Sequence, residues 1–222
     1  MPKLRQPTHF LRLRMGWVAL FFAALTYLGT PCANAQSISR VRTVVVDAGH
    51  GGHDRGGIPG QKVSEKQVAL DTSIRLQREL VRRGYRVIMT RTTDVFIPLS
   101  QRVAIANRNR RDTIFVSVHY NSARRVGAMG YETFYYSSGS QALAIAIQRQ
   151  IMRVARTEDR GVKRRGFYVL RNNRIPAVLV ECGFLTNPTE ARRAQSSRYR
   201  QIMAERIAVG IDDYNGWLAR RR

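Results

Sequence analysis

Three short runs of mostly apolar, β-branched residues most constrain how this chain can fold. They lie at residues 43–46, 114–118 and 177–180. None of them alternates with polar residues, which is typical of strands buried on both faces of a sheet. Such strands occur in α/β proteins, where helices cover both faces of a mostly parallel sheet.

The segments between and after these runs complete an alternation of strands and helices. Further strands are predicted at 86–90, 131–136 and, as a short sixth strand, 167–170. Helical patterns are found at 64–83, 99–109, 141–154 and 198–218. Ser64 is a helix-capping residue, and Gly84 follows the first pattern as a stop. We therefore expect a single layered α/β domain with a central, mostly parallel, mixed sheet of about six strands and helices on both faces.

Each of the three apolar runs is followed by a residue that can bind a metal or transfer a proton. These residues are His50, His119 and Glu181, and Glu65 stands in the first turn of the first predicted helix. In open α/β sheets, sites form beyond the carboxyl ends of the strands. Two imidazoles and one carboxylate are a ligand set of catalytic zinc, which keeps its fourth position open for water. We expect His50, Glu65 and His119 to bind one zinc ion, with Glu181 as the carboxylate that accepts a proton from water.

Each of these residues also has a simpler interpretation. Glu65 could be an ordinary acidic residue favoured by the positive end of the helix dipole. A structural salt bridge to an arginine would equally satisfy Glu181. The glycines around His50 could cradle a phosphate, but no Gly-Lys-Ser/Thr follows them. His53, three residues further on, is predicted to be a solvent-exposed histidine without a ligand role.

Five motifs in the chain resemble the zinc-dependent N-acetylmuramoyl-L-alanine amidases, the amidase type 3 family of cell-wall hydrolases. The resemblance extends from about residue 43 to residue 218, and the motifs lie at 47–57, 64–65, 90–107, 117–121 and 176–187. It implies a peptidoglycan hydrolase that cuts the amide bond between N-acetylmuramic acid and the L-alanine of the stem peptide. Two alternatives stay open, namely a zinc peptidase acting within the stem peptide and a wall-binding protein without catalysis.

The resemblance also implies secondary site residues. Glu132 corresponds to a second carboxylate near the cleft, and Asn121 could orient His119 or hold the substrate. Arg171 is predicted as a further substrate contact.

Three residues of the 90–107 motif have a structural interpretation. Arg91, Asp94 and Arg102 match the family's signature in this region. We interpret them mainly as a structural ion-pair network.

The N-terminal segment has the layout of a secretory signal peptide. Basic residues precede an apolar stretch at 15–30, and Ala33-Asn34-Ala35 supplies small residues for cleavage. We expect residues 1–35 to be removed and residues 36–222 to form the exported catalytic domain, in the periplasm or at the cell wall. A retained membrane anchor is the alternative. Cleavage leaves Cys182 as the remaining cysteine, which excludes a disulfide framework and indicates a buried, inert thiol.

The charge of the chain is strongly positive, at a formal +23. Such a surface binds nucleic acid non-specifically, but the export signal and the lack of a recognised binding motif argue against a specific nucleic-acid partner. Arginine forms bidentate bonds to carboxylates and phosphates, which suits an anionic envelope polymer, although a genome rich in arginine codons would give the same composition. The expected partner is peptidoglycan, bound by a monomer that is not inserted in a membrane after cleavage.

Overall fold

A six-stranded sheet organises the part of the chain that the computed structural model describes, which is residues 39–109, 111–125, 127–154 and 156–221. The strands are β1 (Thr43–Ala48), β2 (Arg86–Met89), β3 (Thr113–Asn121), β4 (Tyr131–Tyr135), β5 (Asp159–Arg164) and β6 (Ala177–Phe184). Their order is β2-β1-β3-β6-β4-β5. Every pairing is parallel except that of β4 with β6. The predicted mixed, mostly parallel sheet is therefore confirmed.

Helices cover both faces of this sheet, as predicted. They are α1 (Glu65–Arg82), α2 (Leu99–Arg108), α3 (Gln141–Met152), α4 (Tyr168–Arg171), α5 (Pro188–Gln195) and α6 (Ser197–Ala219). One apolar core joins the sheet to α1, α3 and α6, with Val116 of β3 among its residues. A smaller core on the other face joins the sheet to α2 and α4 and includes Phe115, the neighbour of Val116. The apolar runs lack polar alternation because each strand supplies side chains to both cores.

The same alternation decides where the polar residues at the strand ends point. Successive side chains of a strand lie on opposite faces. His119 therefore shares the α2 and α4 face with Phe115, and Glu181 shares it with Leu179, which belongs to the smaller core. The two residues are direct neighbours in the parallel pairing of β3 with β6.

Two parts of the predicted element pattern differ from the structure. Residues 167–170 were predicted as a strand, but Tyr168–Arg171 form the short helix α4. This prediction was wrong because a short apolar run does not by itself distinguish a strand from a buried helical turn. The sixth strand is instead β5, which lies at the edge of the sheet and is mostly polar.

Helix α5 was also absent from the predicted pattern. Its start is encoded by Asn187, whose side chain accepts hydrogen bonds from the backbone N–H groups of Thr189 and Glu190. Pro188 occupies the first turn, where its fixed φ suits a helix and its missing N–H costs nothing. The Asn-Pro pair was therefore a usable signal for a helix start.

The N-terminal predictions lie outside the described residues. Residues 1–38, which include the proposed cleavage site after Ala35, are not described, and signal-peptide cleavage stays a prediction. Among the described helices, none combines the length and the apolar character needed to cross a bilayer. Cys182 is buried, as predicted. Burial, together with the carboxylates of Glu181 and Glu65, raises the pKa of its thiol, which favours the inert protonated form.

Close packing of α3 against α6 gives a stability test with an internal control. A methyl group added at Gly210 of α6 would lie 2.6 Å from the Cα atom of Ile147, whereas one added at Gly216 would meet nothing closer than Arg220 Nη1 at 3.4 Å. We expect Gly210→Ala to lower the free energy of unfolding by about 1–3 kcal/mol through overpacking. Gly216→Ala should raise it by up to about 1 kcal/mol, because alanine favours the helix. Equilibrium denaturation measures both changes, and equal responses would contradict the proposed packing.

Candidate metal centre and active site

The three predicted metal ligands come together at the carboxyl ends of β1 and β3. His50 follows β1, Glu65 is the first residue of α1, and His119 lies in β3. Glu65 Oε1 is 3.1 Å from His50 Nε2 and 2.9 Å from His119 Nδ1. One ligand atom from each residue lies within 4.8 Å of the others, so the group could hold a metal ion.

Glycines make room for this cluster. A Cβ atom at Gly49 would lie 2.5 Å from the imidazole ring of His119. At Gly56, whose φ is +69°, a Cβ atom would lie 2.6 Å from Glu65 Oε2. His50 itself has a φ of +59°, a left-handed conformation that is uncommon for a residue with a side chain. The glycine-rich segment after β1 is therefore required by the packing of the three ligands.

Asp54 is a member of the site that the sequence analysis did not single out. Its Oδ2 atom is 2.8 Å from His50 Nδ1, and its Oδ1 atom accepts a hydrogen bond of 3.0 Å from the backbone N–H of Gly56. A carboxylate on the second ring nitrogen of a histidine fixes the ring and the tautomer that presents the first nitrogen to a metal. The sequence places Asp54 four residues after His50, inside the 47–57 motif, but this spacing does not by itself show that the two side chains meet.

The charges of the cluster are coupled through Glu65. Burial alone would raise the pKa of Glu65, but hydrogen bonds from His119 and His50 lower it to about 2. Burial alone would lower the pKa of His50, and bonds to Glu65 and Asp54 raise it instead. Glu65 also accepts a hydrogen bond of 3.1 Å from the backbone N–H of Tyr120. The site thus holds Glu65 as a carboxylate, the form that binds metals.

Glu181 lies beside the cluster in one row across three strands. It pairs with His119 on β3 and with Glu132 on β4. Glu181 is partly exposed to the cleft, but its Oε2 atom is buried and has no hydrogen-bond partner among the described residues. The salt bridge to an arginine considered above is not seen at this atom. Burial, and then the neighbouring carboxylates of Glu65 and Glu132, raise the pKa of Glu181 well above its ordinary value.

Glu132, at the other end of this row, has its charge balanced by cations. Its Oε2 atom is 2.5 Å from Lys163 Nζ and 3.5 Å from Arg160 Nε, both on the edge strand β5. Its Oε1 atom accepts a hydrogen bond of 2.6 Å from the side-chain amide of Asn121. The two carboxylates of the row are therefore different, since Glu132 is fully engaged and Glu181 keeps a free oxygen.

Two remaining candidates have clear positions. The guanidinium of Arg171 lies 6.0 Å from the Tyr168 ring at the end of α4 and does not line the cleft around the ligands. Its role as a substrate contact stays a prediction. His53 is exposed, as predicted, and its ring lies 4.2 Å from that of Phe96, outside the ligand cluster.

Two buried arginines fix the loop that carries His50. Arg102 of α2 forms a salt bridge of 2.9 Å with Asp47 and donates to the carbonyls of Ala48 and His50. Arg91 donates to the carbonyls of Ala48 and Gly49.

The predicted ion-pair network is thus partly different from what the structure shows. Arg102 has an acidic partner, whereas the hydrogen bonds of Arg91 go to carbonyl groups. Asp94 pairs with Lys66 at 2.6 Å and accepts a bond from the backbone N–H of Gly52. All three residues still act on the same loop, which extends from β1 to α1.

Comparisons with known proteins relate this chain to one protein family. The family model described as N-acetylmuramoyl-L-alanine amidase matches residues 44–213. The uncharacterised protein YqiI of Bacillus subtilis is 39% identical over an alignment of 206 residues, and the alignment covers 91% of this chain and 98% of YqiI. The probable cell wall amidase LytH of Staphylococcus aureus is 30% identical over 90% of this chain and 67% of LytH.

A solved structure shares both the fold and the sequence pattern. The N-acetylmuramoyl-L-alanine amidase AmiC2 of Nostoc punctiforme is 38% identical, with a TM-score of 0.73 over 81% of this chain and 98% of its own. The range matched by the family model, residues 44–213, includes His50, Glu65, His119 and Glu181. The chain therefore belongs to the N-acetylmuramoyl-L-alanine amidase family of peptidoglycan hydrolases.

Proposed function

We propose that this amidase is zinc-dependent, with His50, Glu65 and His119 as the protein ligands and Glu181 as the general base. The observation that carries the proposal is the buried, unpartnered Oε2 atom of Glu181 beside the His-Glu-His cluster. An unpartnered carboxylate oxygen in a buried position is costly unless a reacting group or a cation compensates it.

The donor set fits zinc. Two imidazole nitrogens and one carboxylate oxygen, with the fourth position left open, are ligands used by catalytic zinc in hydrolases. The site also concentrates negative charge, because Glu65 and Glu181 face the same small volume and Glu65 is held ionised. A divalent cation bound there would offset both the burial and the carboxylate repulsion that raise the pKa of Glu181.

Zinc, when bound, would polarise the scissile carbonyl and make water acidic enough to react near neutral pH. Glu181 then accepts a proton from the attacking water and delivers it to the leaving amine, a role worth roughly 10²–10⁴-fold in rate. Asp54 keeps the His50 ring in place during these transfers. Cleavage releases a stem peptide with a free amino group on L-alanine and leaves the carboxyl group on the lactyl ether.

Glu181 is a better base than Glu132 for a structural reason. Lys163 and Arg160 neutralise Glu132, and Asn121 occupies its second oxygen. Both oxygens of Glu132 therefore already have partners, whereas the Oε2 atom of Glu181 has none among the described residues. Glu132 is assigned instead to the positioning of Asn121.

The two alternatives to amidase chemistry are now disfavoured. Membership of the family supports cleavage at the lactyl-alanine bond over cleavage inside the stem peptide. A pure wall-binding role does not explain why a complete ligand set and a free carboxylate meet in one cleft. Analysis of the digestion products tests this directly, because amidase activity releases intact stem peptides.

The proposed cellular setting is outside the cytoplasm. The basic and apolar residues before Ala35 resemble a secretory signal, and LytH, a relative described as a probable cell wall amidase, supports action at the wall. We propose an exported monomer that acts on peptidoglycan. Sequencing of the mature N-terminus tests the export, and light scattering of the purified protein tests the monomeric state.

Metal content provides the first test of this proposal. The purified protein should contain about one zinc ion per chain, and a chelator should abolish hydrolysis of muropeptides until zinc is restored. His50→Ala should lose the metal because it removes one of three ligands. Elemental analysis measures the content, and an active protein that contains no metal would end the zinc assignment.

The general base is tested by a pair of matched substitutions in one row of the sheet. Glu181→Gln should keep the bound zinc and lose at least about 10²-fold in turnover, since an amide does not accept the proton of water. Glu132→Gln should lose much less. Turnover and metal content are measured on the same preparations. Near-normal turnover of Glu181→Gln would move the role of base to another residue.

Asp54 is tested through metal affinity. Asp54→Asn removes the charge from the carboxylate that holds His50, and zinc affinity should fall by roughly 10–100-fold. Asp94→Asn is the matched control, because Asp94 lies in a neighbouring loop and contacts none of the three ligands. Competition with a chromophoric chelator gives both affinities. A similar loss in both variants would indicate a general effect on the loop.

A further inference from the structure

The cleft around the ligand cluster has one apolar wall. The cleft has a volume of about 610 Å³ and is lined in part by Phe96, Leu99, Phe167 and Tyr168, which we call the apolar wall. Their exposed fractions are 42%, 52%, 41% and 39%. Among the described residues, eight large hydrophobic side chains are exposed, and half of them form this wall. A concentration of that kind beside a catalytic centre indicates a binding surface.

The fold places the apolar wall on one side of the row formed by His119, Glu181 and Glu132. Phe96 and Leu99 lie just before and at the start of α2, and Phe167 and Tyr168 lie at the start of α4. Both helices pack on the sheet face that carries His119 and Glu181. The Phe167 ring meets Phe134 of β4 edge to face, with the ring centroids 5.0 Å apart. The Phe167 ring is therefore held by the core beneath it.

The polar lining of the cleft comes from other segments. Asn121 and Ser122 line the cleft at the end of β3. Asn121 binds Glu132, which pairs with the basic side chains of Lys163 and Arg160 on β5. The cleft is thus apolar where α2 and α4 begin and polar after β3.

The substrate changes its chemistry at the bond that is cut. On the carbonyl side, a lactyl ether joins an N-acetylated sugar, which presents C–H faces and an acetyl methyl group. On the amine side, the stem peptide presents amides and carboxylates, whose burial against apolar surface without partners is unfavourable. Apart from the hydroxyl group of Tyr168, the side chains of the apolar wall offer neither donors nor acceptors, so the wall matches the sugar side.

We propose that the apolar wall is the glycan subsite of this enzyme, where aromatic rings cover the face of an N-acetylated sugar next to the scissile bond. The proposal rests on the amidase assignment and adds the orientation of the substrate. The stem peptide then leaves the cleft past Asn121 and Ser122. Contact with one aromatic face is worth roughly a tenfold change in affinity.

The first experiment measures binding without catalysis. A peptide-free tetrasaccharide of alternating N-acetylglucosamine and N-acetylmuramic acid is titrated against the full protein, with and without zinc, by NMR or calorimetry. Phe167→Ala should weaken binding about tenfold, and Leu99→Ser, on the other helix of the wall, should also weaken it. Ile145→Ala is the control, because Ile145 is exposed to a similar extent as Phe167, at 42% against 41%, but lies on α3, which packs on the opposite face of the sheet. It should bind like the wild type.

The second experiment separates the two sides of the scissile bond. Wild type and Phe167→Ala are compared on a disaccharide tripeptide and on the same tripeptide carrying only a lactoyl group. The substitution should raise KM for the sugar-bearing substrate far more than for the lactoyl peptide, with kcat little affected. Phe167→Trp should keep KM for the sugar-bearing substrate near the wild-type value, because tryptophan also supplies an aromatic face.

The outcomes are distinct from those that test zinc and Glu181. Tetrasaccharide binding that is absent, or that is equal in wild type, Phe167→Ala and Leu99→Ser, would overturn the glycan subsite whatever the metal content. An equal rise of KM for both substrates would also overturn it, since the wall would then serve the peptide or the fold. Selective loss of sugar binding would support the subsite even if the metal proved not to be zinc.

Discussion

The position of the candidate metal site depends on a buried ion pair at the end of β1. Asp47 accepts hydrogen bonds from Thr90 after β2, from Ser117 of β3 and from Arg102 of α2. Arg102 also donates hydrogen bonds to the backbone carbonyls of Ala48 and His50. Because a buried charge without its partner is strongly destabilising, typically by about 3–5 kcal/mol, these elements have little freedom to move separately. The loop that presents His50 is thereby fixed in position relative to β1, β2, β3 and α2.

Strand register then sets the relative positions of the other candidate site residues. His119, Glu181 and Glu132 face one another across β3, β6 and β4, so their separation is set by backbone pairing and not by flexible loops. Because β4 runs antiparallel to β6, Glu132 lies opposite Glu181 although it stands near the amino end of β4. One row of the sheet therefore contains a proposed ligand, a carboxylate oxygen without a partner among the described residues, and a carboxylate neutralised by β5. Equal residue types acquire different roles through their neighbours.

The sequence predicted what is encoded locally, and less of what depends on tertiary contacts. The buried strands were predictable because uniform burial leaves unbroken apolar runs, and the proposed ligands follow those runs in the sequence. The strand β5 was not predictable, since its residues are solvated at the edge of the sheet and show no alternation of apolar and polar side chains. Asp54 was missed because its importance lies in the orientation of His50, which spacing alone does not reveal. For Arg91 the residue was found but not its partners, as a guanidinium binds carbonyls as readily as carboxylates.

The polar character of β5 also has a consequence for the solution behaviour of the protein. An edge strand exposes unpaired N–H and C=O groups and can recruit the edge of another molecule, which leads to aggregation. Four of the six residues of β5 are charged, namely Asp159, Arg160, Lys163 and Arg164. A second copy that added its own β5 there would bring like charges together and desolvate them. The strand that neutralises Glu132 thus also keeps this edge of the sheet from acting as a template for intermolecular pairing.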